Sequence, residues 1–277
     1  YPSRSPLAIE FIRAKHVLMN QSILGLNNQN QLLGYQTKLF RNDLLLVSSK
    51  TEARYVHQTL GYPEKQIKRT GLPKFDKLLM PTKPNKLKRR LLLLPEKIKT
   101  GPYNPRNEAG QSAERFLSLL NDDRFNQFIA KHELEIAIVL PSSLDPFAAA
   151  FAVTEAQIFF EEETDLFDLF KTSLLLITDT DPRAFDFVFL EKPILFYQPE
   201  TTSQVFSSSV SLRQTFSNEL PGEVAATKED LLHLLDLLAE NHFIISRKNR
   251  QKMDALLENH DTDSAERVVQ AVQLIAK

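Results

Sequence analysis

Residues 173–197 read SLLLITDTDPRAFDFVFLEKPILFY. The run LLLI at 174–177 is apolar at every position, without polar alternation. A strand reads this way when helices cover both of its faces, and burial of that kind belongs to parallel sheets. The polar turn at 179–183 leads into a helical, phenylalanine-rich stretch at 184–190, and PILFY at 193–197 supplies the next strand. Similar runs recur at HVLM near residue 16, LLLVSS (44–49), RLLLLP (90–95), EIAIVLP (135–141) and AQIFFE (156–161). Amphipathic helical patterns separate them at 50–61, 111–132, 164–171, 184–190, 228–240 and 242–258. This alternation predicts an α/β, doubly wound fold.

The segment MPTKPNKLKRR (80–90) combines two prolines with a run of positive charge, so residues 81–90 read as an interdomain linker. It separates a first domain, 1–80, from a Rossmann-type domain at 91–240, and helices at 241–277 are expected to pack back on the body. The first domain carries too few elements for a complete Rossmann unit. Thr227 followed by Asp230 is a helix start with its capping acid. The stretch 263–277 has apolar residues at 265, 268, 269, 272 and 275, a helical stripe.

Among 277 residues there is no cysteine, which excludes a disulfide framework, a thiolate zinc site and a cysteine nucleophile. The six histidines have no HExxH-type spacing, so no metal is expected. No apolar run approaches the roughly 18 residues of a membrane span, and the first residues lack the apolar core of a signal peptide. Net charge is −1, yet residues 1–100 hold 19 Lys+Arg against 6 Asp+Glu while the remainder holds 15 against 29. Such a split suits an anionic ligand or surface for the basic part, or attraction between two domains. The densest cluster, Lys83 to Arg90, has no interleaved aromatics, so nucleic acid is not expected as a partner.

Three collinear pieces carry a family resemblance: GYPEKQIKRTGLPKFDKLL (61–79), LLLITDTDPRAFDFVFLEKPILFY (174–197), and LPGEVAATKEDLLHLL (220–235) with DSAERVV (263–269). Together they resemble the CDP-glycerol glycerophosphotransferases that polymerise teichoic acid. The resemblance implies a GT-B-like fold, with a partial N-terminal Rossmann-like domain ahead of the parallel-sheet Rossmann-type C-terminal domain. It also implies attack of a glycerol hydroxyl on the β-phosphate of CDP-glycerol. That reaction needs a base at the hydroxyl and donors for the phosphate charge.

The family's two histidines fall on Gln21, in NQSILGLN (20–27), and on Leu140, before Pro141. Neither is a base. Glu96 stands where a phosphate-binding hydroxyl is expected, and the paired-hydroxyl motif of the donor loop appears as Asp179, Thr180, Asp181 and Pro182. The extra carboxylate of Glu96 repels phosphate, Asp181 adds a second negative charge beside Asp179, which the family shares, and Pro182 removes a backbone donor. The resemblance leaves Lys74, Asp76, Asp179, Thr180, Asp181 and Asp186 as candidate substrate-binding residues. Each also has a plainer reading. Asp179 or Asp181 before Pro182 can simply cap a helix, Asp186 can anchor the loop, and Lys74 can be a solvated turn lysine.

Two functions follow from the resemblance. One is a divergent member of teichoic acid or surface-polysaccharide assembly whose transferase activity is impaired or lost. The other is an active polyol-phosphate transferase or nucleotide-sugar glycosyltransferase using a different base. Either implies no resident cofactor, a CDP-glycerol-like donor, a lipid-linked glycan acceptor, and a cytoplasmic location with peripheral contact at the inner face of the plasma membrane. A pseudoenzyme would in addition suit a partner transferase.

Overall fold

The computed structural model describes residues 15–19, 42–81, 88–96, 108–179, 181, 183–198 and 220–276. The chain divides into two compact units. The first takes its described residues from Tyr1–Met80 and Lys252–Lys277, and the second takes them from Pro81–Ser207 and Glu219–Gln251. Of the expected linker, residues 82–87 lie outside the described part.

In the first unit, β1 (Val17–Met19), β2 (Leu44–Val47) and β3 (Ile67–Arg69) form a parallel sheet in that order. Helix α1 (Lys50–Gln58) covers one face. There Val56 joins Leu45, Val47, Leu60 and Tyr62 in a buried cluster. On the opposite face, Leu44 and Leu46 pack with Ala271, Val268 and Ile275 of a helix near the chain's C-terminus, Ser264–Ala276. Helices on both faces explain why LLLV shows no alternation. Between β3 and that helix lies α2 (Pro73–Leu79), entered through Gly71 at φ +76°, a conformation that favours glycine.

Among the described residues, the second unit holds a six-stranded parallel sheet in the order β6-β5-β4-β7-β8-β9. Its strands are β4 (Arg90–Leu94), β5 (Glu135–Leu140), β6 (Gln157–Phe160), β7 (Leu175–Thr178), β8 (Ile194–Tyr197) and β9 (Glu223–Ala225). Leu91, Leu93, Ile136, Ile138, Leu175 and Ile177 share a core with Phe116, Phe125, Phe128, Leu231 and Leu235. These come from helices α3 (Glu108–Leu120), α4 (Asp123–Lys131) and the later Lys228–Glu240. The alternate strand residues point to the other face. Short α5 (Ala148–Phe151) packs on the first core through Phe151, and α6 (Leu166–Thr172) and α7 (Ala184–Val188) follow later in the chain. Phe170 of α6 and Phe187 of α7 are buried edge to face, ring centres 5.4 Å apart. The chain ends with α8 (Lys228–Glu240), α9 (Arg247–Leu256) and α10 (Ser264–Ala276).

Two expectations need correcting. The pattern at 111–132 is two helices, because Asp122 turns its carboxylate onto the amides of Arg124 and Phe125 and so starts α4 afresh. Residues 242–246 are not helical: His242 and Phe243 have φ of 53° and 58°, and α9 begins only at Arg247. At Thr227, by contrast, the capping box forms in full, with each partner of Thr227 and Asp230 bonding the other's amide at 3.0 Å.

Candidate functional site

Strands β5 and β6 extend the sheet from one side of β4, and β7 to β9 extend it from the other. The order therefore reverses between β4 and β7. In open α/β sheets, ligands sit outside the carboxyl ends of the strands at such a reversal. Here that edge is formed by Pro95 and Glu96 after β4 and by the turn after β7. Thr178 fastens the two strands, its hydroxyl donating to the Leu94 carbonyl at 2.7 Å.

Asp179 is the first residue past β7, and only 4 % of it is exposed. Its carboxylate points back across the reversal. Oδ1 accepts the Glu96 amide at 2.8 Å. Oδ2 accepts the Ser112 hydroxyl at 3.3 Å and Nη1 of Arg115 at 3.1 Å. Ser112 and Arg115 stand three residues apart on α3, so both reach the edge from one helix face. The side chain of Arg115 is 7 % exposed, which makes this a buried ion pair. Gln198, just past β8, donates to the Asp179 carbonyl at 2.9 Å and fixes the backbone as well.

Asp181 serves a different arginine. Oδ1 accepts the Arg183 amide and Nε, both at 2.8 Å, and Oδ2 accepts Nη2 at 2.6 Å. Arg183 also reaches Glu161, just past β6, through Nη1 at 2.9 Å. Burial alone would lower the pKa of this guanidinium. Its bond to Asp181 and the fields of Asp181, Glu161 and Asp186 outweigh that and hold it above the ordinary arginine value. Of the two aspartates with a possible capping role, Asp181 takes the amide of Arg183 within the turn, and Asp179 takes the amide of Glu96 across the reversal. Asp186 is buried on α7. Thr180 and Pro182 lie outside the described residues.

Leu140 ends β5 with no exposure and belongs to the core with Leu144 and Phe151. The position where the resemblance expects a histidine is thus filled by an aliphatic side chain out of reach of solvent. Gln21, the other such position, is outside the described residues. In the first unit, Lys74 is half-buried on α2 with its ammonium 5.3 Å from the Phe75 ring centre. Asp76, also on α2, accepts the amides of Ser264 and Ala265 at 3.1 and 2.8 Å, and so caps α10. Arg267 completes that junction by donating to the Thr70 carbonyl at 2.8 Å.

The second unit thus brings Asp179, Asp181 and Asp186 to one edge, whereas Lys74 and Asp76 belong to the first unit. Ser112, Arg115, Arg183 and Glu161 were not singled out from sequence. Ser112 and Arg115 sit in an ordinary amphipathic helix, and their only signal is their common face. Among the described residues, no group of three or more His, Asp or Glu is placed to hold a metal ion, and no helix is long and apolar enough to cross a membrane. Chemically the edge offers two guanidiniums, a hydroxyl and a backbone amide, and each of them meets a carboxylate of the same chain.

This geometry sits in a fold with known relatives. The chain is similar to the Staphylococcus aureus MnaA seen with UDP (TM-score 0.62, 13% identity, 98% of this chain and 70% of that one). It is similar also to the wall teichoic acid polymerase TagF (TM-score 0.57, 15% identity, 94% of this chain and 64% of that one). At these identities the likeness shows the fold, which is α/β and GT-B-like. In sequence, it is 24% identical over 242 residues to the minor teichoic acid biosynthesis protein GgaB of Bacillus subtilis (strain 168), covering 83% of this chain. It spans about a quarter of that relative's length (26%). The match to the family of CDP-glycerol:poly(glycerophosphate) glycerophosphotransferases runs over residues 10–274, nearly the whole sequence, and the chain belongs to that family.

Proposed function

We propose that this chain is a divergent glycerophosphotransferase-like protein of teichoic acid or surface-polysaccharide assembly, with transferase activity impaired or lost. One observation carries the reading. At the reversal of the sheet, where a donor diphosphate would need cationic and amide donors, the additional carboxylate of Asp181 already takes the Arg183 amide and guanidinium, which Glu161 shares. A diphosphate arriving there meets Asp179, Asp181, Asp186 and Glu161 against two paired arginines. Like charges in a partly desolvated edge oppose it. The aliphatic Leu140 agrees with this reading, since it supplies no base.

The family's chemistry sets the remaining assignments. The donor to test is CDP-glycerol, with no resident cofactor, and the acceptor is a lipid-linked glycan at the cytoplasmic face of the membrane. The exposed Lys65, Lys68, Arg69 and Lys77 of the first unit suit an anionic surface or a charged partner transferase. Incubation of the chain with CDP-glycerol and a membrane acceptor, with CMP as the readout, tests the proposal. Release at or near background is expected. Rapid acceptor-dependent release would mean an active polyol-phosphate transferase with another base. Turnover of UDP-sugars instead would mean a nucleotide-sugar glycosyltransferase.

A further inference from the structure

Strand β6 (Gln157–Phe160) ends the larger sheet: it pairs with β5 on one side, and among the described residues nothing pairs with the other. An open edge of this kind invites another strand, and chains usually blunt it with lysine or proline. The sequence QIFF holds neither. Phe160 is 39 % exposed, Gln157 is exposed, and Ile158 and Phe159 are half-buried. The edge is therefore apolar as well as unpaired.

Beside it lies a cavity of about 460 Å³, between α4 and the starts of β5 and β6. That size falls within the roughly 300–1,000 Å³ of ligand sites. Ile129, Leu134 and Ile136 give it apolar walls, and Glu135, Glu155 and Gln157 line it as well. Glu135 is shared with Lys88 and Arg90 at 3.7 and 3.5 Å, which leaves the exposed Glu155 as its open carboxylate. At the other end of β6 follow Glu161, Glu162 and Glu163. Glu161 is engaged by Arg183, whereas Glu162 and Glu163 are exposed. Both ends of the strand are thus negative.

We propose that the β6 edge and this cavity together dock an extended basic segment of a partner protein, which joins the sheet as a further strand. Main-chain bonds to β6 supply affinity, and alternate side chains supply specificity. Those on the α4 face fall beside Ile158 and the cavity. There a lysine or arginine lays its methylene stem on Ile129 and Ile136 and brings its charge to Glu155. Charge selects the occupant. Nucleic acid and anionic membrane are repelled by Glu155, Glu162 and Glu163. Two copies meeting β6 to β6 about a two-fold axis would bring Glu155 of each toward the Glu161–Glu163 run of the other, so like charges oppose that pairing too.

Fluorescence anisotropy of a labelled nonapeptide alternating lysine and valine, titrated with the full chain, tests the docking. One-to-one binding that weakens as salt is raised is expected, and a glutamate–valine peptide of the same pattern should not bind. Gln157→Lys should lower the affinity by about tenfold or more, and Glu155→Gln by several-fold, because each acts at the contact. Glu229→Gln, the loss of an exposed charge on α8 beside β8 and β9, should leave it unchanged. Two peptides N-methylated on opposite sets of alternate amides report the main chain: one should lose binding and the other keep it. Equal affinity in Gln157→Lys, a loss in Glu229→Gln as large as in Glu155→Gln, or binding by both methylated peptides would overturn the proposal. So would self-association of the chain that Gln157→Lys abolishes, since the edge would then serve a second copy.

Discussion

Asp76 in the first unit and Asp179 in the second make an instructive pair, since each is only 4 % exposed and each stands in a stretch that resembles the same family. Asp76 meets neutral donors. Its two oxygens accept the amides of Ser264 and Ala265 and so cap α10, with the helix dipole favouring its charge. Asp179 balances a buried cation, accepting from Arg115 along with a hydroxyl and one amide. Identical side chains at identical burial therefore have different energetics. Losing Asp76 leaves two neutral helix-end amides without their acceptor, whereas losing Asp179 strands a charge.

That difference sets the largest expected effect. Asp179→Ala should cost about 3–5 kcal/mol in urea unfolding, the range for breaking a buried pair on one side only. Replacing both partners, as in Arg115→Leu/Asp179→Leu, should cost much less than the single change, since no unpaired charge remains. A double variant as unstable as the sum of the single ones would remove the ion pair from the account.

Next comes Gly71, the residue that admits the chain to α2 and so places Asp76. Its φ is +76°, and an added Cβ would lie 2.5 Å from the Ser264 hydroxyl. Gly71→Ala should cost about 1–3 kcal/mol through backbone strain and displacement of α10. Protection of α10 amides from hydrogen exchange is the direct readout, and unchanged protection would contradict the placement of that helix.

Asp76→Ala should cost less, about 0.5–2 kcal/mol, the ordinary value of a lost helix cap. Its effect should appear as fraying of α10, leaving the second unit's sheet unaltered. A loss as large as that of Asp179→Ala would erase the distinction between the two aspartates.

The smallest effect is on pH dependence. Arg267, followed by the Asp263 amide, holds the Asp261 carboxyl below its usual range, and Lys228 does the same for Asp122. A carboxyl depressed in the folded state adds stability that is fully present above the unfolded value of about 3.9 and is lost as pH falls through the folded value. Acid titration of the wild type should therefore show stability falling below about pH 4, with Asp261→Asn flattening part of the slope. An unchanged slope in that variant would argue against the Arg267 pair.

The fold was legible where burial was two-sided. LLLV, RLLLL, EIAIVL and ILFY are continuous apolar runs because helices cover both faces of each sheet. Strands β3, IKR, and β9, EVA, escaped notice since each has three residues, includes charges and lies at a sheet edge. The break between α3 and α4 was written in Asp122 but hidden by a stripe that continues past it. At the candidate site, the turn 179–186 announced itself through its strand and its acids. Its partners did not. Ser112 and Arg115 lie more than sixty residues earlier in the chain, and only packing of α3 beside β4 and β7 brings them to Asp179. Asp76, a candidate from the resemblance, has its bonds to α10, a partner 188 residues away that no sequence pattern links to it.

The central claim is that a carboxylate of the chain holds the donor edge. Calorimetric titration of the purified wild type with CDP-glycerol, alongside CMP and UDP-sugars, tests it most directly. The account predicts no measurable heat of binding for CDP-glycerol at concentrations where an active family member would saturate. Tight, stoichiometric binding of CDP-glycerol by the wild type, with Asp181 in place, would contradict it.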